Sequence, residues 1–145
     1  NLLWNKLYNV YKFTPKIHGQ FEWIKIPIEN KTYHKDTPWS DEQEHLINSF
    51  LEELVSDKMY AFDWQHDCFT FSPKEYIPCD YEYYDTNRKC TVYFPTYYPN
   101  GDYHLFFDSD WKYGILGNPW KKEIIVMGKN LIEKFESNKT NLNIN

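Results

Sequence analysis

Leu46, Ile47, Phe50, Leu51, Leu54 and Val55 recur at three- and four-residue spacing, the period that lines side chains along one face of an α-helix. Ser40 precedes the run and Gln43 stands three residues later, the pattern of a capping box, with Asp41 and Glu42 matched to the positive end of the helix. The spacing predicts an amphipathic helix of about four turns, from Ser40 to near Asp57. A shorter helical pattern of Leu3, Leu7, Val10 and Tyr11 covers Asn1 to Phe13 and stops at Pro15. A third, with Leu131, Ile132 and Phe135, covers Lys129 to Glu136 after Gly128.

Between the helices the period changes to that of strands. Phe21–Pro27, Lys31–Thr37, Met59–Trp64 and Cys68–Phe71 read as extended, the last two flanking Gln65-His66-Asp67. Cys90–Tyr98 is rich in β-formers, and Asn100-Gly101 predicts a tight hairpin with Tyr103–Phe107 as the returning strand. Gly114 and Gly117 predict a further turn, and Glu123–Met127 a short apolar strand. The expected architecture is one α+β domain over residues 1–137. It combines a mostly antiparallel sheet with two or three helices packed on one face, followed by a polar, frayed tail at 138–145.

Composition narrows the functional classes. Aromatic residues make up 20% of the 145 positions, which suits packing on half-buried sheet surfaces and also a ring-lined contact surface. The net charge of −5 argues against capture of nucleic acid and permits a basic protein partner. Cys68, Cys79 and Cys90 form no C-x-x-C pair, so reduced thiols and a cytoplasmic location are expected rather than a disulfide scaffold. No apolar run has the length of a membrane span, so no membrane association is expected.

The chemistry-bearing residues concentrate in two clusters. Asp63, His66, Asp67, Asp102 and His104 are the types that form acid–base pairs, since a carboxylate can orient an imidazole and raise its basicity. Their spacing matches no metal-ligand or nucleophile motif, so neither a metal nor another cofactor is expected. Turn-capping by Asp67 and His66, and hairpin geometry at Asn100-Gly101-Asp102, are the competing structural explanations. Trp64, Gln65, Tyr98, Tyr103 and Trp120 form the candidate ligand or partner surface, with Trp64 and Trp120 expected to anchor it from below.

These clusters resemble a bacterial family of small domains of unknown function, the domain of unknown function 2716 type. Tyr60-Ala61-Phe62-Asp63-Trp64-Gln65-His66-Asp67-Cys68 is similar to its Y-A-L-D-W-Q-H-E-C segment. Tyr98-Pro99-Asn100-Gly101-Asp102-Tyr103 resembles its P-D/N-G-D-Y segment, and Gly114 to Trp120 its G-x-x-G-H-P-W segment. Asn118 stands where the family has His, a change that a structural or binding role tolerates better than acid–base catalysis. Two functions follow as expectations. One is a non-enzymatic protein-binding module, in its specific form a toxin-neutralising, immunity-type protein. The other is a small hydrolase-like enzyme built on the Asp/His cluster.

Overall fold

The computed structural model describes residues 2–10, 26–63, 67–78 and 80–145. Most of the expected Phe21–Pro27 strand lies outside the described residues. Three antiparallel hairpins and an edge strand build a six-stranded sheet. The strands are β1 (Asn30–His34), β2 (Met59–Asp63), β3 (Cys68–Phe71), β6 (His104–Asp108), β7 (Gly114–Asn118) and β8 (Glu123–Met127), in the order β1-β8-β7-β6-β2-β3. A separate two-stranded ribbon pairs β4 (Glu82–Asp85) with β5 (Cys90–Tyr93).

The central strands are covered on both faces, and period-2 alternation divides their side chains between two cores. Met59, Ala61, Phe106, Ile115, Ile124 and Val126 point to one side. There they meet Ile47, Phe50 and Leu51 of α2 (Asp41–Leu54) and Leu131 and Phe135 of α3 (Lys129–Ser137). Phe62, Leu105, Phe107, Leu116 and Met127 point to the other side, with Leu7 of α1 (Leu2–Val10). The chain is thus α+β, with the first helix on the face opposite the other helices. Among the described residues no helix is long and apolar enough to cross a membrane.

The capping box at α2 is formed as expected: Gln43 N donates to Ser40 Oγ and Ser40 N donates to Gln43 Oε1. Three other expectations are corrected. The 138–145 tail is not frayed, because α4 (Lys139–Leu142) buries Leu142, and Ile144 follows it into the core. Trp39 Nε1 and Gln43 Nε2 donate to the carbonyls of Leu142 and Asn141, and His34 exchanges two backbone hydrogen bonds with Asn145.

The Asn100-Gly101 hairpin does not form either. β5 pairs with β4, while β6 pairs with β2 and β7. Pro95 and Pro99 offer no N–H to a ladder, so the segment between them cannot continue β5 toward a partner strand. Finally, Gly114 and Gly117 lie within β7 instead of a turn. A Cβ at Gly117 would come 2.6 Å from the Pro99 ring, and one at Gly114 would come 2.8 Å from the Phe107 ring. Close approach of neighbours, rather than turn geometry, requires glycine at both positions.

Leu51 is fully buried between α2 and the sheet. Leu51→Ala is expected to lower the unfolding free energy by about 2–5 kcal/mol in urea denaturation. A loss under about 0.5 kcal/mol would place this helix face in solvent and contradict the packing.

Candidate functional site

The segment leading into β6 is held by two polar side chains inside the core. Glu44 and Asn48 lie on the α2 stripe that also carries Ile47 and Leu51, and both are buried. The backbone N–H groups of Tyr97 and Tyr98 donate to Glu44 Oε1 and Oε2 at 2.7 and 3.1 Å. Tyr97 Oη donates to Asn48 Oδ1 at 2.8 Å, and Asn48 Nδ2 donates to the Pro73 carbonyl at 2.8 Å. Burial pushes the Glu44 carboxyl up to about 7, against the opposing pull of the two N–H donors. The apolar pattern passes over this pair. Their i, i+4 spacing, in register with Ile47 and Leu51, is the signal that would have found them.

So anchored, the segment aims the Thr96 carbonyl at His104, 2.8 Å from Nδ1. A carbonyl only accepts, so Nδ1 carries a hydrogen. Burial lowers the pKa of His104, opposed by the Thr96 carbonyl, the Asp63 carboxylate, the Tyr98 carbonyl and the Asp102 carboxylate. His104 Nε2 stands 3.7 Å from Asp63 Oδ1, directly across the β2–β6 register.

These two side chains form the floor of a cleft of about 430 Å³ between the sheet end and the β4–β5 ribbon, whose walls include Asp67, Arg88, Tyr93 and Asn100. Arg88 Nε donates to Asp85 Oδ2 at 2.8 Å, and its Nη2 reaches Asp67 Oδ1 at 3.0 Å, tying the ribbon turn to the β2–β3 turn. The Arg88 side chain holds the Asp85 carboxyl below its usual range. Cys68 lies nearby, but burial and the Asp67 charge push its thiol up to about 11, which makes it a poor nucleophile. Among the described residues no three His, Cys, Asp or Glu side chains are grouped to hold a metal ion.

Of the residues singled out from sequence, Asp63, Asp67 and His104 share this cleft. Asp102 sits at the entry to β6, where its Oδ1 accepts from Tyr103 N at 2.8 Å. Trp64, Gln65 and His66 lie outside the described residues. Tyr103 is 1% exposed and belongs to the core, so it offers no contact surface. Tyr98 is structural as well, its hydroxyl donating to the Lys35 carbonyl and its ring meeting Trp39 edge-on. Trp120 is not the buried anchor expected of it: it is 50% exposed at the β7–β8 turn. Asn118 takes the buried role there, its Oδ1 accepting from Trp120 N and Lys121 N.

The three chemistry-rich segments end in one row across adjacent strands, Asp63 beside His104 beside Gly117. Residues 1–132 match the family described as Protein of unknown function (DUF2716). The chain belongs to this family. It is also 37% identical over 117 residues to a Bacillus subtilis (strain 168) protein described as "Uncharacterized protein YxiI", a match covering 79% of this chain and 67% of that protein. No solved structure matches the chain.

The raised pKa of Glu44 has a defined sign. A carboxyl that ionises less readily when folded adds stability that is full below about pH 4.5 and is lost as pH rises through about 7. Urea unfolding of this DUF2716 member is therefore expected to weaken from pH 4.5 to 7 by up to about 3 kcal/mol through Glu44. The slope should flatten in Glu44→Gln. An unchanged slope in the variant would assign the pH dependence elsewhere.

Proposed function

We propose that this DUF2716 chain is a non-enzymatic protein-binding module whose contact surface is the β4–β5 ribbon. The observation that carries the reading is the concentration of exposed tyrosines there: Tyr81, Tyr83, Tyr84 and Tyr93 are four of the seven large apolar side chains exposed among the described residues. The pairing of Glu82 with Tyr93 and of Tyr84 with Thr91 places Tyr84 and Tyr93 on one face, 60% and 61% exposed, while Val92 turns inward and is buried. Tyrosine supplies large contact area at low conformational cost and a hydroxyl for hydrogen bonding, which is why it dominates protein-binding surfaces.

Glu82 on the same face, Asp80 two positions before it in the chain and the net charge of −5 favour a basic partner. A toxin-neutralising, immunity-type protein facing a basic toxin is the specific form of this reading. The hydrolase-like alternative draws on a different observation, the shared cleft of Asp63, Asp67 and His104. The two readings make opposite demands. A binder needs the ribbon tyrosines and tolerates loss of any single cleft carboxylate, whereas an enzyme needs Asp63 and tolerates loss of Tyr84.

The test uses the immobilised chain and extract of its source cells, with the retained protein identified by mass spectrometry and its affinity measured by calorimetry. Tyr84→Ala and Tyr93→Ala are each expected to weaken that affinity by about 2 kcal/mol or more. Unfolding free energy should stay within about 0.5 kcal/mol of the parent chain. Equal affinity in both variants would sink the ribbon as the contact surface.

A further inference from the structure

Glu44 is 4% exposed, and the groups that answer its carboxyl are neutral: the N–H of Tyr97 at 2.7 Å and the N–H of Tyr98 at 3.1 Å. Among the described residues no cation pairs with it, and the charge that does act on it, Asp41 in the first turn of α2, has the same sign. The walls facing the carboxyl bring no counter-charge either. Phe71, Tyr76, Ile77 and Pro78 stand on one side, and the described residues from Phe94 to Tyr97 carry no charged side chain on the other. His45, the next residue along α2, stacks on Tyr76. A buried carboxylate without a counter-charge is costly, so ionisation favours any movement that brings water to it. A cavity of about 20 Å³ beside the carboxyl, between these walls, has room for one water molecule.

The segment held by Glu44 is also the root of the ribbon. Pro95 and Pro99 keep it out of any ladder, and two of its N–H groups are fastened to Glu44. Just before it, Phe94 N donates to the Tyr81 carbonyl at 3.2 Å, and the Phe94 ring packs on Phe69 and Phe71. Tyr93, with its exposed ring, stands two residues ahead of Pro95.

We propose that Glu44 is a pH-responsive latch on the ribbon: protonated, it holds the Tyr97–Tyr98 backbone against α2, and ionised, it releases that backbone and loosens the end of β5. The inference rests on the protein-binding reading for its consequence, because a loosened β5 no longer presents Tyr93 in one position. The neutral carboxyl still accepts through its carbonyl oxygen, and on ionisation its proton passes to water. Burial pushes the closed-state carboxyl up to about 7, outweighing the two N–H donors, while a hydrated carboxyl keeps its ordinary value. Closure is therefore favoured in full below about pH 4.5 and weakens as pH rises through about 7.

Amide hydrogen exchange of the whole chain, followed by NMR at about pH 5.5 and about pH 8 and corrected for the intrinsic effect of pH, reads the latch. The amides of the central strand β6 report global unfolding. Relative to them, exchange at Tyr97 and Tyr98 should speed up about tenfold or more between the two conditions. The ¹³C shift of the Glu44 carboxyl should titrate with the same midpoint as this opening. Glu44→Gln, neutral throughout, should abolish the pH dependence of the ratio. If that variant does not fold, the agreement of the two midpoints in the parent chain decides the matter.

Tyr97 and Tyr98 amides that track β6 at both pH values, a Glu44 midpoint in the ordinary carboxylate range, or undiminished pH dependence in Glu44→Gln would each overturn the latch. The two proposals fail separately. Partner capture that depends on Tyr84, without local opening, removes the latch and keeps the binder. Local opening with capture indifferent to Tyr84 removes the ribbon as the contact surface and keeps the latch, which is measured on the chain alone.

Discussion

Glu44 accepts the N–H groups of Tyr97 and Tyr98 from inside the core, and the site geometry follows from that contact. Two backbone donors between Pro95 and Pro99 have no strand partner, and leaving them buried and unpaired would cost about 1–3 kcal/mol each. One carboxylate on α2 satisfies both. The helix face that packs the core therefore also sets the height of the chain segment entering β6. Asn48 extends the hold by linking the Tyr97 hydroxyl to the Pro73 carbonyl, so two loops are secured to one helix. The arrangement has an electrostatic consequence, because an acid in such surroundings ionises only near neutral pH.

From this anchor the constraints pass outward by hydrogen bonds. Tyr97 packs its ring against Phe106, while Thr96 turns its carbonyl to His104 Nδ1, which donates to it. The β2–β6 register brings Asp63 opposite His104, and the Arg88 bridge ties the ribbon to the β2–β3 turn. The ribbon lies outside the six-stranded sheet, so its tyrosines are free of the packing that claims Phe106, Phe107 and Tyr103.

Local pattern was a reliable guide wherever one interaction range decided the outcome. The α2 capping box, the apolar stripes of α2 and α3, the β2–β3 hairpin and β8 were all legible, because a helix cap, a helical face and a short strand depend on neighbours within a few residues. Asn100-Gly101 misled because a turn signal states that the chain can reverse, not which strands will pair. Gly114 and Gly117 misled because glycine marks close approach as well as turns, and the approaching groups, Phe107 and Pro99, were unknown until the chain was folded. The tail was read as frayed from its polarity, yet Leu142 and Ile144 are its apolar residues and both are buried.

The sequence by itself determined the α+β class, the mostly antiparallel sheet, membership of the DUF2716 family and the residues worth watching. Each rests on periodicity or on contiguous segments. Only the tertiary structure decided which of those residues meet. It sent Tyr103 to the core and Trp120 to the surface, and it joined Asp63 and His104, forty-one positions apart, across one strand pair. It also recruited Glu44, Asn48 and Arg88, which belong to no motif. The reason is that hydrogen-bond satisfaction and charge pairing act through space, between groups whose separation along the chain carries no information about their distance once folded.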